Sequence, residues 1–116
     1  MPFFNQMMTP EPIRVVLGGA LTSTYQNLGT PLAHASVIWK VVNNTNVDVF
    51  ISLGTSVDED IVPAGSFFLY DENANAVPPS EYKIAKNTQF QVRAPAGAGS
   101  QATATANVYL VTYYAA

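Results

Sequence analysis

The chain has 116 residues, room for one domain and one core but not for two. A hydrophobic fraction of 48% excludes a disordered chain, whereas charged residues make only 11%, against about 25% in ordinary soluble domains. The net charge is −3 and the basic residues (Arg14, Lys40, Lys83, Lys86, Arg93) are scattered, which argues against phosphate-backbone binding; without Cys there is no disulfide framework, thiol nucleophile or Cys-ligated metal. The surface must then be hydrated by Asn, Thr, Ser and Gln. Neutral polar groups are desolvated against a partner far more cheaply than charges are. The low charge therefore fits an assembling protein as well as a Thr/Asn-rich β surface.

Residues 1–12 read as an extended arm. Pro2, Pro10 and Pro12 exclude a helix there and disfavour a central strand. Yet the arm carries Phe3, Phe4, Met7 and Met8, which a solvated tail has no reason to hold. They are expected to be buried, either on the arm's own domain or on a neighbouring subunit, and the neighbour is taken as the reading to test. The start of the chain lacks the basic n-region and apolar run of a signal peptide, and no apolar run is long enough to span a bilayer. Neither export nor membrane insertion is expected.

Residues 13–116 read as one β domain. Ile13 to Gly18 is short and β-branched, and Leu21 to Gln26 follows a Gly18-Gly19 break. Ala35 to Asn43 is a long strand with Val37, Trp39 and Val41 on one face and Ser36, Ile38, Lys40 and Val42 on the other. Val47 to Leu53 places Val47, Val49, Ile51 and Leu53 opposite Asp48, Phe50 and Ser52. The intervening Asn43 to Asn46 predicts an antiparallel hairpin between the two. Ile61-Val62, Ser66 to Tyr70, a brief Tyr82 to Ile84, Thr88 to Ala94 and Thr103 to Tyr114 complete the set. The last sets Val108, Leu110 and Thr112 opposite Tyr109, Val111 and Tyr113. No segment holds a helical period, and short strands split by Gly, Pro and Asn predict an all-β, antiparallel β-sandwich of jelly-roll type.

Chemistry-bearing patterns are sparse. His34, the one histidine, has no carboxylate at zinc-ligand spacing and no Gly-x-Ser-x-Gly elbow to serve, so it reads as a loop residue. Asp58-Glu59-Asp60, with Asp71-Glu72 beyond, lacks EF-hand spacing; it reads as a solvated acidic loop, with calcium or a cationic partner as the alternative. The glycines of Pro95 to Ser100 lack the Lys-Ser/Thr of a phosphate loop. Trp39, Tyr25, Tyr70, Tyr109, Tyr113 and Tyr114 read as core or interface, or as a sugar-stacking face. No catalytic residue, metal ligand or cofactor is expected.

The run from Trp39 to Gly54 (WKVVNNTNVDVFISLG) has a strand, an Asn-rich turn and a second strand ending in Ile-Ser-x-Gly. Together with Asp58 to Asp71 (DEDIVPAGSFFLYD), Gln89 to Pro95 (QFQVRAP) and Asn107 to Tyr114 (NVYLVTYY), it resembles a pattern in virion structural proteins of tailed bacteriophages. The likeness covers roughly the last two-thirds of the chain, in style more than in a diagnostic motif. It implies a small sandwich of the capsid cement or decoration type, made in the host cytoplasm and placed on the capsid surface. The implied partner is the major capsid protein, bound by a homo-oligomer (dimer or trimer), with no nucleic acid or membrane involved. A head–tail or tail component, and a carbohydrate-binding module, are the alternatives.

Overall fold

The computed structural model describes residues 8–71, 84–95 and 106–115. They form nine strands: β1 Met8–Pro10, β2 Arg14–Leu17, β3 Gln26–Asn27, β4 Ile38–Asn43, β5 Val49–Ser52, β6 Asp60–Val62, β7 Phe67–Asp71, β8 Gln91–Arg93 and β9 Asn107–Ala115. The helical content among the described residues is a single 3-10 turn, Gly18–Ala20.

The strand pairs are nested. β2 pairs with β9, β3 with β8, β4 with β7 and β5 with β6, all antiparallel. This is one long antiparallel ribbon. Rolling it brings β9 beside β4 and β8 beside β5, which closes a jelly roll of two sheets. One sheet runs β1-β9-β4-β7, with β2 also on β9; the other runs β3-β8-β5-β6. Successive strands from β2 to β5 and from β6 to β9 alternate between the sheets.

The core lies between the sheets. Trp39 and Val41 of β4 and Val108 and Leu110 of β9 join Val49 and Ile51 of β5, Val92 of β8 and the loop residues Leu28, Leu32 and Phe90 in one buried cluster. Trp39 stacks on Tyr70 with ring centroids 4.3 Å apart, inside this layer. The inward rows of β4 and β9 are those expected from their alternation.

The hairpin expected between Ala35–Asn43 and Val47–Leu53 is not formed. β4 pairs with β7 and β9, whereas β5 lies in the other sheet, on β6 and β8. The reason sits at Asn43. Its side chain is buried, not solvated in a turn. Its Nδ2 donates to the carbonyls of Val47 (2.8 Å) and Val62 (3.0 Å), and its Oδ1 accepts from Thr45 N (3.0 Å) and Thr45 Oγ1 (2.6 Å). These bonds hold two sheet-crossing corners side by side, residues 43–47 and residues 62–66. Both strands flanking the first corner bury one full row, which two facing sheets satisfy as well as one hairpin does. The hairpin pairing falls instead between β5 and β6, across the longer 53–59 loop.

Leu21 to Gln26 shortens to Gln26–Asn27. Thr22 Oγ1 accepts the Thr24 N–H at 3.3 Å and donates to the Thr24 carbonyl at 3.0 Å, a local alternative to a ladder. Tyr82 and Lys83 lie outside the described residues, and Ile84 makes an isolated bridge to Ser36.

Candidate interaction surface

The two sheets differ on their outward faces. On the β3-β8-β5-β6 sheet, Asn27, Gln91 and Arg93 face outward, and the guanidinium of Arg93 lies 4.4 Å over the Phe50 ring. That face mixes polar and apolar groups, with the exposed Ile61 on the other side of Phe50. The register of the larger sheet places another set outward: Val15 and Leu17 of β2, Tyr109, Val111 and Tyr113 of β9, Ile38, Lys40 and Val42 of β4, and Phe67 and Leu69 of β7. Phe67 and Leu69 are 61% and 59% exposed, and Leu17 is 57% exposed. Among the described side chains on this face, Lys40 is the single charge, and it stands in the middle row between Val111 and Leu69. Four strands ~4.8 Å apart and rows ~7 Å apart make a face on the order of 400 Å². A face of this size is comparable to the largest apolar patch of an ordinary monomer, and such patches are often functional.

The face is continued by the arm's attachment. Met8, exposed, pairs with Ala115, and Pro10 with Tyr113, so β1 extends the same sheet along β9. Phe3, Phe4 and Met7 lie outside the described residues. Between β1 and β2 the register slips by one residue: Pro10 faces Tyr113 and Arg14 faces Leu110, four residues against three. This bulge turns both Glu11 and Arg14 inward, where a regular strand would set them on opposite sides.

The two form a buried ion pair. Arg14 Nη2 is 2.7 Å from Glu11 Oε1, at 7% and 6% residue exposure. Arg14 also donates from Nε to the Thr30 carbonyl (2.7 Å) and from Nη2 to the Pro31 carbonyl (3.1 Å). Glu11 accepts the N–H groups of Ala33 (3.2 Å) and His34 (2.9 Å), and its Oε2 lies 3.1 Å from His34 Nδ1. Burial alone would raise the Glu11 pKa. The Arg14 bond, then the Ala33 and His34 bonds, outweigh it and hold the carboxyl below its usual value. His34 stacks on Tyr114 at 3.7 Å, and these groups line a groove of about 480 Å³. With every Glu11 and Arg14 contact spent on the 28–34 loop and β9, the cluster is a clasp that fastens the arm's root to the sandwich.

A second polar cluster is exposed. Arg93 grips Asp58 through Nε (2.9 Å) and Nη2 (2.6 Å), and the Tyr25 hydroxyl donates to Asp58 Oδ1. It ties the 53–59 loop to β8. Of the acidic run, Asp58 is taken by Arg93, Glu59 Oε1 accepts the Leu53 N–H at 2.6 Å, and Asp60 Oδ1 accepts the Ile61 N–H at 2.8 Å. Among the described residues no three His, Asp or Glu side chains gather where they could hold a metal ion.

The aromatic set divides by role. Trp39 and Tyr70 are stacked on each other, Tyr114 is on His34, and Tyr25 lies under Arg93 at 5.6 Å. Tyr109 and Tyr113 remain on the outer face. Sequence reasoning isolated the outward rows of β4 and β9 but missed the exposure of Phe67 and Leu69, whose strand carries no alternation. It also missed the Glu11–Arg14 pair, since a bulge leaves no spacing signal. Comparison with family models, with curated proteins and with solved structures finds no match to this chain.

Proposed function

We propose that the chain is a non-enzymatic structural protein of a virion, of the capsid cement type, that lays its larger sheet on the surface of neighbouring major capsid subunits. The observation that carries the reading is the outward face of that sheet, four strands wide and, among its described side chains, charged only at Lys40. A free monomer gains nothing from such a face, and a partner surface of the same size desolvates it. The lone Lys40 calls for a carboxylate or a carbonyl opposite, because an unpaired charge sealed under apolar contacts is costly. The likeness of Trp39 to Gly54 and of Asn107 to Tyr114 to phage virion proteins supports the same reading, and jelly rolls are frequent among viral capsid domains.

The test is co-sedimentation of the purified chain with shells built from the major capsid protein of the virus whose genome encodes it. Saturable binding that Val42→Glu abolishes, with the fold intact by circular dichroism, is the expected outcome. A chain that stays in the supernatant at every shell concentration sinks the proposal.

A further inference from the structure

A sandwich of two open sheets has four edges, and in this molecule three are blunted. Along β1 and β2, Pro10 and Pro12 remove donors and the bulge breaks the line. β3 is two residues long and is followed by Gly29, whose φ of 76° turns the chain away. β6 has three residues ahead of Pro63, and the Asp60 side chain already occupies the Ile61 N–H.

β7 carries no proline, glycine or bulge. Its one acidic residue is the terminal Asp71, and Phe67, Phe68, Leu69 and Tyr70 ahead of it are uncharged. The ladder with β4 decides which of its backbone groups are free. Asn43 N–H donates to the Ser66 carbonyl at 2.8 Å, so Ser66, Phe68 and Tyr70 are the positions bonded to β4. The N–H and C=O of Phe67 and Leu69 therefore point out of the sheet, and no described residue meets them. An apolar edge with free donors and acceptors is a template for another strand.

We propose that the occupant is a second copy of the chain, with β7 pairing antiparallel to β7 about a two-fold axis at Phe68. The edge is self-complementary. An axis perpendicular to the sheet keeps both outer faces on one side, so residues set opposite must share parity. With Phe68 against Phe68, Phe67 falls opposite Leu69, and each such pair exchanges both of its N–H···O bonds. The paired stretch then carries no charge to oppose itself. A shift to Leu69 against Leu69 would instead bring the acidic position 71 opposite Phe67. Pairing β6 with itself would bring Asp60 to the seam. A stretch this short buries less than the ~800 Å² per partner of a standard interface, so the dimer is concentration-dependent. The proposal needs no other protein and stands apart from the virion reading.

Leu69→Pro isolates the edge. It removes an N–H that β4 does not use and sets a ring on the free side, which an edge strand tolerates. Sedimentation equilibrium of the full chain is expected to show a mass rising from 12.4 kDa toward twice that with concentration, and a Leu69→Pro variant held at 12.4 kDa with an unchanged circular dichroism spectrum. Independently, Phe68→Cys places the sole cysteine of the chain at the axis. Opposed positions that exchange no hydrogen bonds lie ~4.5 Å apart between Cα atoms, within disulfide reach, so oxidation is expected to give a covalent dimer. A wild-type chain that remains at 12.4 kDa throughout overturns the proposal. So does a Leu69→Pro variant that dimerises like wild type, or a Phe68→Cys variant that dimerises but does not cross-link.

Discussion

Glu11→Gln keeps the shape of the clasp and removes its negative charge. Arg14, 7% exposed, would then be a buried cation facing neutral acceptors alone, the carbonyls of Thr30 and Pro31, the hydroxyl of Thr112 and the introduced amide oxygen. Removing one partner of a buried ion pair costs about 3–5 kcal/mol, because the other charge stays buried and uncompensated. Domains have roughly 5–15 kcal/mol in total, so this loss is a large share. At about 4 °C per kcal/mol, thermal unfolding should move down by roughly 12–20 °C. The double variant Glu11→Met with Arg14→Met removes both charges, and it should lose less than the two single variants summed, by ~2 kcal/mol or more. Its residual cost is the acceptor that Ala33 and His34 N–H groups no longer find. Urea unfolding of the wild type, Glu11→Met, Arg14→Met and the double variant closes the cycle. The same pair sets an acid limit. The folded Glu11 carboxyl lies below its ordinary value near 4.5, so its contribution is complete above that pH and is lost as pH falls through the lower folded value. Glu11→Gln should flatten that part of the stability–pH curve. A Glu11→Gln cost under ~1 kcal/mol, or additive single variants, would refute the account of the clasp.

Two further outcomes follow from local geometry. Gly29 has a φ of 76°, and a Cβ there would lie 2.5 Å from Arg14 Cβ, so Gly29→Ala should destabilise by about 2–5 kcal/mol in urea unfolding, whereas Gly65→Ala, with open space around it, should cost only its backbone strain of about 1–2 kcal/mol. Burial, then the hydrogen bond to Asp58, pushes the Tyr25 phenol up to about 12, so ultraviolet titration should show one tyrosine ionising well above 10; the neutral form is the one stabilised, and this contribution is present below pH 10 and lost as pH rises toward 12. In Asp58→Asn that late step should move down, and a wild-type chain whose tyrosines all titrate near 10 contradicts the assignment.

The sequence was most legible where one strand face is buried and the other is not needed for local bonding. Val41 against Val42, and Leu110 against Val111, sort correctly by period alone. It was least legible at two places where a side chain bonds across the chain. Asn43 reads as a turn residue and is a buried corner post. Glu11 and Arg14 carry no spacing signal, and a one-residue bulge turns them inward together. Trp39 and Tyr70 read as core or interface, with a sugar platform as the alternative, and they are stacked on each other against the core. A period of two tells which residues share a face; it does not tell which face has water on it. Ile38, Val42 and Val111 are apolar enough for a core, and only the second sheet, lying on their opposite side, leaves them outward.

The apolar outer face and the unprotected edge belong to the same sheet, and their juxtaposition has a geometric consequence. Pairing β7 with β7 joins the two larger sheets edge to edge and keeps their outward faces coplanar. The face on the order of 400 Å² then doubles without exposing any new apolar surface of the core. Phe67 and Leu69, at the margin of one copy, come to the centre of the joined face. A partner that binds one copy through this face thereby raises the local concentration of the second, and the weak edge pairing is reinforced by linkage. Twist works against indefinite growth. Each strand added rotates by about 20–25° relative to its neighbour, and the remaining edges, at β1 and β2, are closed by Pro10, Pro12 and the bulge. Edge addition through β7 therefore stops at two copies and does not run on into a fibre, which is what a protein with an open strand edge requires to stay discrete.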